Sequence, residues 1–324
     1  MCTAVSHLTQ GLYFGRDLDY EVSFGESVTI TPRSFPFRLR HLGAMDRHYA
    51  MIGMAHVLDD YPLYYDAMNE KGLCIAGLNF VTSAVYQPPM PGRDNVAQFE
   101  LIPWLLGRCA TAAQARALLE HANITDEPFC EGLPLARLHW LIADRHETIV
   151  LEATADGLHI YDDPVGVLTN EPPFPMQMFA LNDHARLSPD SPQPLFAGQV
   201  PLQTYSRGLG GLGLPGDLSS RSRFVRAAFV NLSSRSGESE EESVSQFFHI
   251  LTSVEQQRGC CRLDGDKYEI TLYSSCCSAD RGIYYYTTYE NRQITAVDMK
   301  REDLDGAALV SYPLVQGQQI RWAN

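Results

Sequence analysis

Short stretches of alternating apolar and polar residues recur along this sequence and are its strongest constraint on the fold. Two of them, 139–143 and 148–152, flank the polar segment 144–147, a pattern that predicts a β-hairpin. Three further strands, with a turn at 290–293 before the last, are predicted near the end of the chain, at 268–275, 282–289 and 294–299. Their Tyr, Ile, Thr and Val content suits a pleated surface.

Two segments carry apolar residues at helical spacing. The segment 101–121 contains an Ala-rich run with good intrinsic helix propensity. The segment 243–256 places Val244, Phe247, Phe248 and Leu251 on one face. It follows an acidic run whose charge favours a helix start. Because runs of strands alternate with blocks of helix, we predict a layered α+β architecture.

The charge balance excludes two classes of partner. The 324 residues include 25 Lys and Arg against 39 Asp and Glu, a formal net charge of −14. Phosphate binding needs a cationic surface, so nucleic acid is not an expected partner. We find no basic run, no secretory signal and no apolar run long enough to span a bilayer. The sequence therefore predicts a soluble cytoplasmic protein without a membrane partner.

The eight cysteines lack the spacing of a metal site. They include vicinal pairs at 260–261 and 276–277, whereas zinc ribbons need two cysteines separated by a few residues. Disulfides are not expected in a reducing cytosol. We therefore predict mostly buried free thiols, with no metal and no cofactor.

One long segment, 188–216, is polar and rich in Gly and Pro. Loops of this length in a compact domain are usually functional, mobile or involved in assembly. Its glycine cluster lacks the Lys-Ser/Thr that follows the glycines of a phosphate-binding loop. We find no internal repeat and predict a single domain over 1–324, with 188–216 as an assembly or substrate loop.

The second residue carries distinctive chemistry if Met1 is removed, as is normal before a small residue. Cys2 would then hold both a thiol and a free α-amine, which can act as the base for its own side chain. An α-amine titrates at about 7.7–8.0 and a free thiol at about 8.5, so proton sharing near neutrality is feasible. The alternative is that Cys2 follows Met1 without a chemical role.

A polar cluster follows the strand-like run after Cys2. A strand over 2–14, a turn at Gly15 and an antiparallel return would bring residues 16–19 back past that strand. Arg16 would then place positive charge beside the thiolate, and Asp19 would hold the α-ammonium. A surface Arg–Asp pair near a turn, which contributes little stability, explains these residues equally well.

Seven short motifs occur in order over nearly the whole chain. They are Met-Cys-Thr at 1–3, Gly-Arg-Asp-Leu-Asp at 15–19, Asn-Glu-Lys-Gly-Leu-Cys-Ile-Ala-Gly-Leu-Asn-Phe at 69–80, Leu-Thr-Asn-Glu-Pro at 168–172, Gly-Leu-Pro-Gly-Asp-Leu-Ser-Ser at 213–220, Ser-Arg-Phe-Val-Arg at 222–226 and Ile-Thr-Ala-Val-Asp-Met at 294–299. Together they resemble the choloylglycine hydrolase family. The resemblance implies an Ntn-hydrolase αββα four-layer sandwich, with two antiparallel sheets between helical layers, and assembly as a homotetramer.

The resemblance also implies six catalytic residues. Cys2 is the implied nucleophile, Arg16 and Asp19 hold its thiol and amine, and Arg223 supports the reaction centre. Without the resemblance, Arg223 would be interpreted as an ion pair at a surface or helix start.

Two asparagines complete the implied set. The backbone N–H of Asn79 and the side-chain NH₂ of Asn170 are implied donors to the oxyanion, a role for which a neutral amide is suited. Without the resemblance, Asn79 would be interpreted as a turn residue and Asn170 as a loop cap.

The implied activity is hydrolysis of the amide that joins a bile acid to glycine or taurine, through a thioester on Cys2. The family also includes penicillin V acylases, which tend to have an aromatic residue where this chain has Asn79, and this difference favours bile salts. Penicillin V or N-acyl homoserine lactone hydrolysis remains open, as does a catalytically inactive ligand-binding homologue.

A sterol needs a broad apolar trough. Five apolar residues are candidates for its walls, although ordinary core packing also explains them: Leu18, Phe24, Phe129, Leu133 and Leu135. Arg207, in the long loop, is a candidate contact for the carboxylate or sulfonate of the leaving group. Oligomer assembly is the first role we assign to that loop, and the two roles are compatible.

Overall fold

Extended backbone dominates the computed structural model, which describes residues 1–324. The helices are α1 (Leu101–Arg108), α2 (Ala112–Leu119), α3 (Phe174–Ala180), α4 (Ser220–Ser233) and α5 (Glu240–Thr252). The strands are β1 (Cys2–Leu8), β2 (Leu12–Tyr20), β3 (Ser27–Thr31), β4 (Phe37–Leu39), β5 (Gly43–Met45), β6 (Met51–Leu58), β7 (Tyr61–Asn69), β8 (Cys74–Asn79), β9 (Asp94–Ala97), β10 (Ala122–Thr125), β11 (Leu138–Ala143), β12 (Thr148–Thr154), β13 (Gly157–Asp162), β14 (Val167–Leu168), β15 (Ile270–Ser278), β16 (Ile283–Thr288), β17 (Asn291–Asp298) and β18 (Val310–Pro313).

Most strands belong to two large sheets. The first sheet has the strand order β14-β1-β2-β15-β16-β17, and all its neighbours pair antiparallel. The second has the order β13-β12-β11-β8-β7-β6-β3-β18 and is also antiparallel throughout. Strands β1 and β2 contact β8, so the two sheets pack face to face.

Helices cover the outer face of each sheet. Helices α4 and α5 pack on the first sheet through β1, β2 and β15, whereas α1 packs on β6, β7 and β8 of the second. The layers therefore run helix, sheet, sheet, helix, which confirms the predicted αββα sandwich. None of the helices has the length and apolar composition that crossing a bilayer requires.

Apolar side chains join the layers as the sequence pattern predicts. The face predicted on the second helix is buried in full, with Val244, Phe247, Phe248 and Leu251 in one core with the first sheet. Burial of each such side chain stabilises the fold by about 1.5–3 kcal/mol. A separate core lies under α1, where Trp104 is fully buried.

The predicted hairpin at 139–152 is confirmed as β11 and β12, whose residues pair from Trp140↔Leu151 to Ala143↔Thr148. The three predicted C-terminal strands are present as β15, β16 and β17. The predicted turn at 290–293 is wrong, because Asn291 already pairs with Thr288 and β17 begins there. The Asn291 N–H also donates to Thr288 Oγ1 at 3.0 Å, which closes a tighter turn than the residue types suggest.

The helix predicted over 101–121 is two helices. The backbone at Cys109 is extended, with φ −106° and ψ 133°, so α1 ends there. Thr111 then caps α2 by accepting the Gln114 N–H at 3.2 Å, a signal hidden within the Ala-rich run.

The helix predicted over 243–256 has shifted ends. It begins at Glu240, because the Ser239 side chain and Glu242 form a capping box, and it ends at Thr252. The acidic residues before the predicted start therefore form its first turn, where negative charge favours the helix dipole.

The turn predicted at Gly15 is also wrong. The chain reverses at Thr9–Gly11, where the Thr9 N–H donates to Gly11 O at 2.9 Å. Gly15 lies inside β2, packed so closely against β15 that a Cβ atom would lie 1.9 Å from Ser275 O. The glycine is therefore required by strand contact. The predicted antiparallel return of residues 16–19 past the first strand is confirmed, because Ala4 pairs with Arg16 and Cys2 with Leu18.

The long segment 188–216 contributes no strand to either sheet. The Ser188 N–H donates to Gly210 O at 3.0 Å and brings its two ends together. Three large apolar side chains on it are more than four-fifths exposed: Leu195, Phe196 and Tyr205.

The close contact at Gly15 gives a stability prediction. We expect Gly15→Ala to lower the free energy of unfolding by about 3 kcal/mol or more, because the methyl group meets backbone that cannot move without separating β2 from β15. Gly211→Ala is the matched control, since its Cβ has no atom within 4 Å, and its effect should stay within about 0.5 kcal/mol. Urea unfolding measures both, and equal midpoints would contradict the strand contact.

Candidate functional site

A cavity of about 460 Å³ lies where β1 and β2 of the first sheet face β7 and β8 of the second. This volume is in the range of small-molecule pockets. Seventeen of its 25 lining residues are hydrophobic. Cys2 and Arg16 are among the lining residues, so the cavity brings reactive groups to an apolar chamber.

The cavity walls include all five apolar residues that the sequence suggested, which are Leu18, Phe24, Phe129, Leu133 and Leu135. Other apolar and aromatic wall residues were not predicted, namely Tyr20, Leu63, Tyr65, Phe99 and Ile102. Tyr20 shares a strand face with Arg16 and Leu18, and this period-two spacing is the signal that would have identified it. The others come from segments that sequence order does not connect to Cys2.

Cys2 opens β1 and is 2 % exposed. It pairs with Leu18 across the hairpin, so the thiol-bearing residue lies beside the strand that carries Arg16 and Asp19. Its backbone N–H donates to Asn170 Oδ1 at 2.9 Å. This bond fixes the start of the strand against a segment distant in sequence.

Arg16 lies on the face of β2 that looks toward the second sheet. Its Nη1 donates to Tyr65 O at 3.3 Å and to Gly77 O. Its Nε and Nη2 are buried and have no hydrogen-bond partner within the protein. Burial acts to lower the pKa of Arg16, but the negative groups around it, with Cys2 first and Asp66 among them, raise it overall. The guanidinium is thus a fixed positive charge at the cavity wall.

Asp19 lies on the opposite face of β2, toward α4. Its Oδ1 accepts from Thr271 Oγ1 at 2.6 Å, and its Oδ2 lies 3.9 Å from Arg223 Nη1. Burial raises the pKa of Asp19, while Arg223, the Met1 α-amine and Thr271 act in the opposite direction. The Met1 α-amine donates to the backbone carbonyl of Asp19 at 2.8 Å, and its carboxylate partner is Glu269.

Arg223 connects four parts of the chain from the first turns of α4. Its Nη1 donates to Cys2 O at 2.5 Å and to Thr3 Oγ1 at 2.6 Å. Its Nη2 donates to Asn170 Oδ1 at 2.7 Å, and its Nε to Leu218 O at 3.1 Å. A buried guanidinium satisfied in this way holds the strand start and the Asn170 side chain in one geometry.

The two predicted asparagines lie together. Asn170 Nδ2 donates to Asn79 O at 2.9 Å, which uses one of its two N–H groups and leaves the second free. The Asn170 backbone is held in turn, because its N–H donates to Ser220 Oγ at 2.9 Å and its carbonyl accepts from Gln177 Nε2. Asn79 lines the cavity, so the pair borders the space beside Cys2.

Sequence reasoning missed the residues that support this site. Thr271 on β15, Ser220 and Gln177 fix Asp19 and Asn170 through hydrogen bonds, yet Ser, Thr and Gln carry no local signal for such a role. Arg207 is exposed on the long segment and does not line the cavity of its own chain. Its role as a substrate contact therefore stays a prediction.

The arrangement suits nucleophilic chemistry on an acyl group. A thiol with a fixed guanidinium nearby, amide donors beside it and an apolar chamber in front can attack a carbonyl carbon and stabilise the oxyanion that forms. No group of three or more His, Cys, Asp or Glu side chains is placed to hold a metal ion.

Comparison with known proteins gives a consistent result. Residues 2–312 match the family described as linear amide C–N hydrolases, choloylglycine hydrolase family. A bile salt hydrolase/transferase from Lactiplantibacillus plantarum is 54% identical over 100% of both chains. The crystal structure of a mutant conjugated bile acid hydrolase from Clostridium perfringens superposes with a TM-score of 0.92 at 36% identity, covering 100% of both chains. A penicillin V acylase from Agrobacterium tumefaciens shares the fold at 19% identity, with a TM-score of 0.77 and coverage of 97% of this chain and 92% of that one.

The four bonds of Arg223 give the prediction for this site. We expect Arg223→Lys to lower the free energy of unfolding by about 3 kcal/mol or more, because an ammonium cannot reach the same acceptors and leaves buried polar groups unpaired. Arg221→Lys is the matched control two residues earlier on the same helix, where an exposed side chain pairs only with Asp183, and its cost should stay below about 1 kcal/mol. Urea unfolding separates the two, and similar losses would show that the Arg223 bonds carry no special weight.

Proposed function

The chain belongs to the choloylglycine hydrolase family of linear amide C–N hydrolases, and we propose that it cleaves conjugated bile salts to free bile acid and glycine or taurine. The observation that carries this proposal is Cys2 at the wall of a largely apolar cavity, beside Arg16 and the asparagine pair. The two relatives that match over 100% of both chains are named for bile salts or conjugated bile acids.

Cys2 is the proposed nucleophile and its own α-amine the proposed base. With Met1 removed, the amine would occupy the place where the Cys2 N–H now donates to Asn170 Oδ1. Burial lowers the pKa of the Met1 α-amine one residue away, and the same surroundings would favour a neutral amine on Cys2. Asp19 on β2 supplies a negative charge that balances the nearby Arg223 guanidinium.

The reaction proceeds in two halves. The Cys2 sulfur attacks the amide carbonyl while the α-amine takes the thiol proton, and the tetrahedral intermediate expels the leaving amine with that proton. The acyl group remains as a thioester, which water then hydrolyses at the same centre. In both halves the free Nδ2 hydrogen of Asn170 and the backbone N–H of Asn79 are the proposed oxyanion donors. Arg16 holds positive charge at the cavity wall beside Cys2.

The cavity fits the two ends of a bile salt differently. Leu18, Phe24 and the apolar residues of 129–135 offer the broad wall that a steroid needs. The acidic end of the conjugate needs a cation. Arg137 lines the cavity, is exposed, and has its guanidinium placed by a bond from Nη1 to Val81 O at 3.2 Å. We therefore assign the carboxylate or sulfonate to Arg137 within the single chain.

The relative from Lactiplantibacillus plantarum is named a hydrolase/transferase, and a thioester allows both reactions. If a second amine attacks the thioester in place of water, the acyl group passes to that amine. The second candidate function is therefore acyl transfer from the same Cys2 intermediate.

We also propose that the protein is a homotetramer and is located in the cytoplasm. The exposed Leu195, Phe196 and Tyr205 on the segment 188–216 support assembly, because large apolar side chains grouped on a surface favour contact with another chain.

The nucleophile has a direct test. We expect the wild-type protein to lack Met1 by intact mass and to release glycine or taurine from glycocholate and taurocholate faster than it cleaves the side-chain amide of penicillin V or of an N-acyl homoserine lactone. Cys2→Ser should lose this activity while keeping its fold, because a hydroxyl is far harder for an amine to deprotonate. Cys260→Ser, at an exposed thiol outside the cavity lining, is the matched control. Normal turnover by Cys2→Ser would remove Cys2 from the role, and no turnover of any amide by the wild type would favour an inactive homologue.

A second test asks which arginine binds the carboxylate or sulfonate of the conjugate. We expect Arg137→Gln to raise KM for glycocholate and taurocholate about 5- to 30-fold, the loss of one charge-assisted hydrogen bond of about 1–2 kcal/mol. Arg207→Ala should leave the ratio of kcat/KM for the two conjugates unchanged and alter the mass seen by size exclusion. The opposite pattern, with Arg207→Ala weakening taurocholate and Arg137→Gln neutral, would assign the acidic end to Arg207.

A further inference from the structure

A buried His–Glu pair lies next to the segment that carries Asn170. His139 on β11 and Glu152 on β12 are both fully buried. The imidazole Nδ1 lies 3.0 Å from Glu152 Oε1, and Nε2 lies 2.9 Å from Thr169 O. The Phe80 ring stacks on the imidazole with centroids 4.3 Å apart and planes 7° from parallel, which fixes the plane of the imidazole.

The pair connects the two sheets. His139 and Glu152 belong to the second sheet, whereas Thr169 directly follows β14 of the first. Glu152 also reaches the far end of the same segment, because the Phe174 N–H donates to its Oε1 at 2.9 Å. Asn170 thus lies between two backbone atoms that the same pair of side chains holds.

The two hydrogen bonds of the imidazole limit how many hydrogens its ring nitrogens carry. Nδ1 faces a carboxylate oxygen and Nε2 faces a carbonyl oxygen, and a carbonyl has no hydrogen to give. A neutral imidazole carries one N–H, so both bonds form only if the ring carries a second hydrogen or the carboxyl group carries one. Glu152 Oε1 already accepts the Phe174 N–H, a bond that is stronger when the carboxyl group is ionised. Glu152 Oε2 is buried without a hydrogen-bond partner, and His139 is the one basic group within ion-pair distance of this carboxyl group. An imidazolium beside a carboxylate therefore satisfies both ring bonds and balances the buried charge.

We propose that His139 and Glu152 are positioning residues for the oxyanion donor Asn170, with His139 doubly protonated and bridging Glu152 to the Thr169 carbonyl. The negative carboxylate keeps the second hydrogen on the ring, and the ring keeps the carbonyl before Asn170 in place. The kinetic part of this proposal rests on the proposed function, whereas the protonation of His139 does not.

A positioning role predicts a specific kinetic pattern. Neither His139 nor Glu152 lines the cavity, so their loss should not change how substrate is held. Asn170 Nδ2 is proposed to contact only the oxyanion that develops during the reaction. Its displacement should therefore slow the chemical step and leave substrate binding unchanged. Because loss of a complete oxyanion donor costs about 10²–10³ in rate, we expect a displaced one to lower kcat about 10- to 100-fold with KM changed less than about 2-fold.

The test uses Glu152→Gln, which keeps the shape of the side chain and removes its charge. Nitrogen-15 NMR of the histidine rings at neutral pH should show hydrogen on both ring nitrogens of His139 in the wild type and on one in Glu152→Gln. Absence of the signal in His139→Gln identifies it. Glycocholate kinetics on the same samples should show the fall in kcat. Glu147→Gln is the matched control, since Glu147 lies in the turn of the same hairpin and pairs with Arg116 on the surface. It should match the wild type in both measurements.

Two results would overturn the proposal. A singly protonated His139 in the wild type removes the bridge, and this spectrum does not depend on whether any variant folds. A doubly protonated ring together with unchanged kcat in a folded Glu152→Gln removes the positioning role. If the wild type does not cleave glycocholate at all, the proposed function fails, and the ring spectrum still decides the structure of the pair.

Discussion

The fold depends on burying a set of opposite charges where two apolar sheets meet. The Arg223 guanidinium joins the start of β1, the Asn170 side chain and the loop before α4, and it lies 3.9 Å from the Asp19 carboxylate. Each of these groups would be costly to bury alone, and their opposite charges offset part of that cost. The apolar layers exclude water from the cluster, and the cluster in turn fixes how the layers meet at this edge. The placement of Cys2 and Asn170 and the stability of the fold therefore depend on the same hydrogen bonds.

The sequence predicted the architecture well because the strands and helices follow from the spacing of apolar residues close together in the chain. Alternation identified β11, β12 and the C-terminal strands, and the apolar face of α5 was buried as expected. The errors lie where one residue had two explanations. Gly15 was interpreted as a turn because glycine is common in turns, but the actual reason is the approach of Ser275, more than two hundred residues away in the chain. Contacts of that kind leave no trace in the neighbouring residues.

The same limit explains what was found and missed at the site. The ordered motifs pointed to Cys2, Asn170 and Asp19, and the structure brings them together around Arg223, whereas Arg16 lies on the other face of β2. Thr271 and the His139–Glu152 pair support that cluster by hydrogen bonds to side chains or backbone. A threonine in a strand and a histidine in an alternating pattern are ordinary residues in sequence. Only the packing of one sheet on the other gives them a role.

The strand order of the first sheet has a consequence for how the protein is made. Strand β2 lies between β1 and β15, and Thr271 of β15 holds Asp19. On the ribosome, Cys2 is synthesised long before Thr271 and Arg223 emerge. Its thiol must therefore pass most of translation without the groups that surround it in the folded chain. Contacts so distant in sequence form late and slow folding. The surroundings of Cys2 are therefore complete only when nearly all of the chain has been synthesised, and a truncated product would present Cys2 without Arg223 and Thr271.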